Sequence, residues 1–144
     1  MSQISQSVSE ILAGPGDDRR RQSIVEAAMA ASALVAMADG EVSFSERVLV
    51  DQAIEALTAD NDWEAHDLMA IFNDFADAIA ANSSQGRRPA LSAIGALEDM
   101  DDVGDAVAVV LRIARAVAAA DGAATESERA AIDEIAEELN ALTA

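Results

Sequence analysis

Residues 36–57, AMADGEVSFSERVLVDQAIEAL, return at residues 118–139 as AAADGAATESERAAIDEIAEEL. The offset is a constant 82 residues, pairing Asp39 with Asp121, Gly40 with Gly122, Ser45 with Ser127, Glu46 with Glu128, Arg47 with Arg129 and Asp51 with Asp133. In both copies an apolar run of helical spacing breaks at Asp-Gly and restarts as a second helix, so the chain is expected to hold two related helical hairpins. Two copies imply pseudo-symmetry and not a solenoid.

The break has a simple geometric use. Gly adopts the left-handed conformation that closes a helix C-terminus, and Asp tolerates the tight turn beside it. Each break leads into a capping box, Ser43-Phe44-Ser45-Glu46 in the first copy and Thr125-Glu126-Ser127-Glu128 in the second. In such a box the hydroxyl covers the amide three residues on and the Glu reaches back to the cap's own amide. This role alone accounts for the repeated spacing of Glu46 and Glu128, with no ligand required.

Outward from the hairpins, the remaining segments also read as helix. Asp17-Asp18 opens a helix to about Ala38, acidic where the helix dipole favours it, with Ile24, Ala28, Ala31, Val35 and Ala38 on one side and Ala27, Leu34 and Met37 beside them. Ser43–Leu57 turns Val48, Leu49, Ala53, Ile54 and Leu57 inward. Asp60-Asn61-Asp62 reads as a turn, and Trp63 to about Ala81 buries Leu68, Ile71, Phe72, Phe75 and Ile79. Asn82–Gly86, polar and Gly-ended, is expected to be a linker between the halves. A further helix then carries Pro89 in its first turn, with Leu91, Ile94 and Leu97 as its apolar side. After the acidic turn Glu98–Asp102, Val103–Ala120 is apolar on nearly every side and is expected to be the central, most buried helix. Its mate, Thr125 to about Leu142, packs through Ile132, Ile135, Ala136 and Leu139. Ahead of all these, Ile4, Val8, Ile11 and Leu12 mark a short amphipathic helix over Ser2–Ala13, ended by Gly14-Pro15-Gly16.

The expected architecture is all-α. About seven helices form two pseudo-symmetric hairpin halves, packed around a central pair made of the two helices that precede Asp-Gly. Residues 1–16 carry the short helix and its break, and residues 17–144 form a single helical domain with halves 17–81 and 87–144.

Composition narrows the function classes. Of 144 residues half are apolar but only 3% aromatic, so the core must come from Ala, Val, Ile and Leu between closely spaced helices. Nine basic residues, all Arg, stand against 27 acidic ones for a net charge of −18. Such a field repels phosphate backbones and anionic headgroups and concentrates cations, which argues against a nucleic-acid partner. The absence of Cys excludes disulfides, thiolate metal sites and a Cys nucleophile, leaving oxygen ligands for any metal. With one histidine, His66, a two-histidine zinc site within the chain is excluded and a Ser-His-Asp triad is a poor fit. Arg112 and Arg115 are expected to pair with acidic neighbours, an anion clamp being the sharper alternative. The start of the sequence has neither a basic leader nor a continuous apolar stretch, and no segment reaches the roughly 20 apolar residues of a membrane span. A cytoplasmic protein without direct membrane insertion is the expectation.

Asp39-Gly40-Glu41-Val42-Ser43-Phe44-Ser45-Glu46 reproduces the back half of an EF-hand calcium loop. Its front half fails, because Val35 and Met37, and in the second copy Val117 and Ala119, stand where the first acidic ligands belong. The order of LVAMADGEVSFSERVLVDQAIEAL, WEAHDLMAIFNDFADAI, ALSAIGALEDMDD and VVLRIARAVAAADGAATESERAAIDEIAEEL nevertheless resembles the tellurite-resistance protein TerB family, over roughly Ile24–Leu142. The resemblance implies an all-helical, non-enzymatic protein of tellurite and stress resistance. Such a protein works with other proteins in a cation-linked complex at the membrane, so that it would be cytoplasmic and peripheral at the inner membrane through its partners. It places an acidic signature, for calcium or another divalent cation, on Asp39, Glu41, Glu46, Asp121 and Glu128. Ala123 stands where the first copy has Glu41, so the second hairpin has one oxygen ligand fewer, with Glu126 nearby on a different face. No single hairpin offers the six to eight oxygens calcium takes: if pseudo-symmetry brings the hairpins close, Asp39, Glu46, Asp121 and Glu128 could share an ion with carbonyls and water, and if they lie at opposite ends each could hold only a weak, hydrated ion. The alternative is a metal-independent interaction module, like the similar hairpin domain found beside J-domains in certain co-chaperones.

Overall fold

An alanine-rich helix, α1 (Asp18–Ala36), is the axis of the molecule in the computed structural model, which describes residues 18–40, 42–58, 64–99, 103–120, 122 and 124–143. Every residue from Ala27 to Ala36 is buried, including Ser32, whose hydroxyl donates to the Ala28 carbonyl at 2.8 Å. Small side chains on all sides of α1 let other helices approach it from several directions at once.

Those helices are α2 (Phe44–Thr58), α3 (Ala65–Ala81), α4 (Ser83–Gly95), α5 (Val103–Ala118) and α6 (Glu126–Thr143), with a 3₁₀ turn at Ala96–Asp99. Helix α1 packs most extensively on α5, α3 and α4. The expected pairing of the two helices that precede Asp-Gly is therefore present, as α1 against α5. Six α-helices stand among the described residues. The expected first helix, Ser2–Ala13, and its Gly-Pro-Gly break lie outside them. So do the Asp60–Asp62 turn with Trp63, the end of the acidic turn at 100–102, and the proposed ligands Glu41 and Asp121 together with Ala123.

Three expectations about the helices and their junctions are corrected. The most buried helix is α1 and not Val103–Ala120, because α5 carries Arg112 and Arg115, which with Ala108 reach solvent on its outer face, whereas Ala27–Ala38 is uncharged. Asn82–Gly86 is not a linker. Only Asn82, in extended conformation, separates α3 from α4; its side chain accepts from the Gln85 amide at 3.1 Å and caps α4. Gly86 is buried where α4 crosses α3, and a Cβ there would stand 2.1 Å from the Ala78 carbonyl oxygen. The polar run that looked like a hinge is thus a cap followed by a close helix crossing, and the two halves share one core. Because α4 begins at Ser83, Pro89 is its seventh residue and not in its first turn, so the Gln85 carbonyl receives no N–H from it.

Most expected inward positions are buried: Ile24, Leu57, Leu68, Phe72, Ile94, Ile113, Ile135 and Leu139 fully so. Leu49, Ile71, Phe75, Leu91 and Ile132 sit half-buried at the margin of the core, whereas Val48, also expected inward, is half-buried on the outer side of α2, because its helical spacing sets it opposite Val50, Ala53 and Leu57. Between elements, the Arg47 guanidinium lies 5.9 Å above the Phe72 ring and ties α2 to α3, and an Arg87–Glu134 ion pair ties α4 to α6. No helix among the described residues is long and apolar enough to cross a membrane.

Candidate functional site

The two Asp-Gly turns are built alike, bond for bond. After α1, the Met37 amide donates to Ala33, Ala38 to Val35 and Gly40 to Met37; after α5, Ala119 donates to Arg115, Ala120 to Val117 and Gly122 to Ala119. Gly40 and Gly122 have φ of 93° and 103°, the left-handed conformation that only Gly adopts without strain. Each turn therefore ends its helix in the same way and is followed by the same kind of cap on the next helix.

Both capping boxes are complete. The Ser43 amide donates to Glu46 Oε1 at 2.8 Å and the Glu46 amide to Ser43 Oγ at 3.1 Å. In the second copy the Thr125 amide donates to Glu128 Oε1 at 2.9 Å and the Glu128 amide to Thr125 Oγ1 at 3.1 Å. Four amides at the two helix starts gain partners that the helices themselves cannot supply.

The pairing of α1 with α5 then brings the two hairpins together. The Thr125 hydroxyl donates across to Asp39 at 3.0 Å to Oδ1 and 3.2 Å to Oδ2, residues 86 positions apart in the chain. Behind this link the Glu46 and Glu128 carboxyl groups meet within hydrogen-bonding reach. They are only 4% and 3% exposed, and among the described residues no basic side chain pairs with either. Burial raises the Glu46 carboxyl from 4.5 to about 7; the contact with Glu128 and its charge add to the rise, and hydrogen bonding from Ser43 opposes it. Two buried carboxylates in contact are relieved by a proton held between them or by a cation. The donor set is all oxygen, which suits a hard cation, while the helix N-termini beneath it disfavour positive charge.

Of the five acidic positions that the sequence points to, the structure thus gathers Asp39, Glu46 and Glu128 at one place. Thr125 is legible in the sequence only as a cap, and its second role as the link to Asp39 has no local signal. Glu126, the nearest substitute for the residue missing at Ala123, is exposed in the first turn of α6. Arg112 and Arg115 line a shallow depression with Ala108 and Leu111 on α5. A second cluster, Glu64, His66 and Asp67, lies exposed at the start of α3, where both His66 ring nitrogens face carboxylates at 3.2 Å. Its only signal in the sequence is the spacing Glu64-x-His66-Asp67.

Comparison with curated proteins and with solved structures finds no match. The sequence model of the family described as "Tellurite resistance protein TerB" matches residues 25–142, a span that takes in both hairpins, both capping boxes and the joined carboxylates. With its sequence matched over most of its length and its fold all-helical, the chain belongs to the tellurite resistance protein TerB family.

Proposed function

We propose that the chain binds a divalent cation, calcium or one like it, between its two Asp-Gly hairpins, and acts in tellurite and stress resistance by docking other proteins. One observation carries this reading: Glu46 and Glu128, from opposite halves of the chain, are buried against each other with no basic partner among the described residues. Each spends one oxygen on its cap and has the other for an ion, and Asp39 adds oxygens at the rim. Asp121 and Glu41 supply further oxygens in this reading, with water and carbonyls completing the shell. The role is binding and not catalysis, since the one histidine is exposed on α3 and the buried carboxylates already serve as caps. The partner complex lies at the inner membrane and this chain reaches it from the cytoplasm.

A second reading is favoured by the completeness of the capping boxes and by the Thr125–Asp39 hydrogen bond, which joins the hairpins without an ion. In it the domain is a metal-independent interaction module. Thermal melting separates the two. A site-bound ion stabilises the folded state as RT ln(1 + [L]/Kd). Millimolar calcium should raise the melting temperature of the wild type and raise it less in an Asp39→Asn, Asp121→Asn double variant. Equal shifts in both proteins would reflect only screening of the −18 charge and would leave the interaction module as the better account.

A further inference from the structure

Phe44 is the first residue of α2 and is 84% exposed, the one large hydrophobic side chain in that condition among the described residues. It has no part in the cap, which Ser43 and Glu46 complete between them. Three outward positions come after it at helical spacing: half-buried Val48, then exposed Asp51 and Glu55. Residues at i, i+4, i+7 and i+11 form the stripe along which a second helix packs.

The repeat supplies an internal control. The equivalent positions on α6, 82 residues later, are Glu126, Ala130, Asp133 and Glu137, all outward-facing by the same spacing. The same local geometry is therefore satisfied by an acidic outer face with no large apolar group. On α2 the acidic half is kept, at Asp51 and Glu55, while Phe44 and Val48 replace Glu126 and Ala130. Helix α2 packs inward through Val50, Ala53, Ile54, Ala56 and Leu57 on α3, α5 and α1, and among the described residues no helix packs along this stripe. Arg47 is turned toward Met69 and Phe72 of α3, so the stripe carries no basic residue.

We propose that the Phe44–Val48–Asp51–Glu55 face of α2 is the docking surface for a basic amphipathic helix of a partner protein. Apolar side chains of that helix cover Phe44 and Val48, and its Lys or Arg side chains meet Asp51 and Glu55. Charge selects this occupant: a second copy or an anionic membrane surface would bring negative charge against a chain of net −18, whereas a basic segment is attracted to it. The inference names the partner class for the docking half of the proposed function and does not depend on cation binding.

The test uses a fluorescein-labelled Leu/Lys peptide of about 18 residues, patterned with one apolar and one basic helical face, and a scrambled peptide of the same composition. Fluorescence anisotropy in physiological salt, with calcium and with chelator, is read for four proteins. These are the wild type, Phe44→Ser, an Asp51→Asn, Glu55→Gln pair on α2 and an Asp133→Asn, Glu137→Gln pair on α6. Circular dichroism melting checks that each is folded. The wild type should prefer the patterned peptide; Phe44→Ser should weaken it about tenfold, and the α2 charge pair should weaken it more than the α6 pair. Undiminished binding by Phe44→Ser, equal effects of the two charge pairs, or no binding by the wild type would overturn the proposal. So would Phe44-dependent dimerisation in light scattering, or Phe44-dependent sedimentation with phosphatidylglycerol vesicles. Any of these results leaves the cation reading standing on its melting test.

Discussion

Replacing Glu46 by Gln removes one of two buried acids while preserving shape: the amide oxygen can still accept from the Ser43 amide, and the new NH2 can donate to Glu128. The consequence depends on pH, and its sign comes from linkage. A carboxyl group whose folded-state pKa is raised holds its proton more tightly in the folded protein than in the unfolded chain. Its contribution to stability is therefore fully present below the unfolded value and is lost as pH rises through the folded value. For Glu46 that window runs from 4.5 to about 7. Such a shift corresponds to up to about 3 kcal/mol of stability lost by the wild type across the window, or about 10 °C in melting temperature for a domain of this size. Glu46→Gln has no proton to lose. The two proteins should be nearly equally stable at about pH 4.5, and the variant should be the more stable above about pH 7.5, by an amount approaching that figure. Urea unfolding followed by circular dichroism, at constant ionic strength and with chelator present, reads the difference directly. Comparing variant with wild type at each pH removes most of the general acidic repulsion, which both chains share. A stability gap that does not change with pH, or a variant less stable than wild type in the alkaline range, would refute the picture of two buried carboxylates in contact. Millimolar calcium should then narrow the alkaline gap by stabilising the wild type, if the ion takes the place of the lost proton.

Other substitutions test the frame that brings these residues together. Gly86→Ala forces a methyl group onto the α3 backbone at Ala78, and should cost about 3 kcal/mol in chemical denaturation as α4 is pushed away from α3. Gly122→Ala meets no atom within 4 Å but is held at φ 103°, so the strain is in the backbone alone; a loss of about 1 kcal/mol is expected in thermal melting. Thr125→Val removes both the cap of α6 and the hydrogen bond to Asp39. Denaturation should show a loss of about 1–2 kcal/mol, and Thr125→Ser, which keeps the hydroxyl, should recover most of it.

Much of the fold is legible in the sequence because it rests on local chemistry. The Asp-Gly breaks, the left-handed glycines and the S/T-x-x-E boxes are set by residues within a few positions of one another, and each stands where the sequence places it. Helical periodicity likewise identifies most core residues, since a side chain's face on a helix is set by its spacing alone. Sequence and structure part where two elements have to be compared. Asn82–Gly86 has the composition of a linker, yet Gly86 is there because α3 passes too close for a side chain. Val103–Ala118 is more conspicuously apolar in its large side chains than α1, yet its arginines hold one face in water while the small residues of α1 admit neighbours all round.

The acidic site divides the same way. By itself the sequence determined that Glu46 and Glu128 would cap their helices, because a capping box is closed within four residues. It also determined that the two helix ends before the breaks would be closed alike, because they share their turn residues and their spacing. Only the tertiary structure decided that the hairpins meet. The packing of α1 against α5 joins Asp39 to Thr125 and places Glu46 against Glu128, turning two separate caps into one buried carboxylate pair. Contact across 82 positions depends on how helices pack in three dimensions, and no local rule of spacing or propensity encodes that distance.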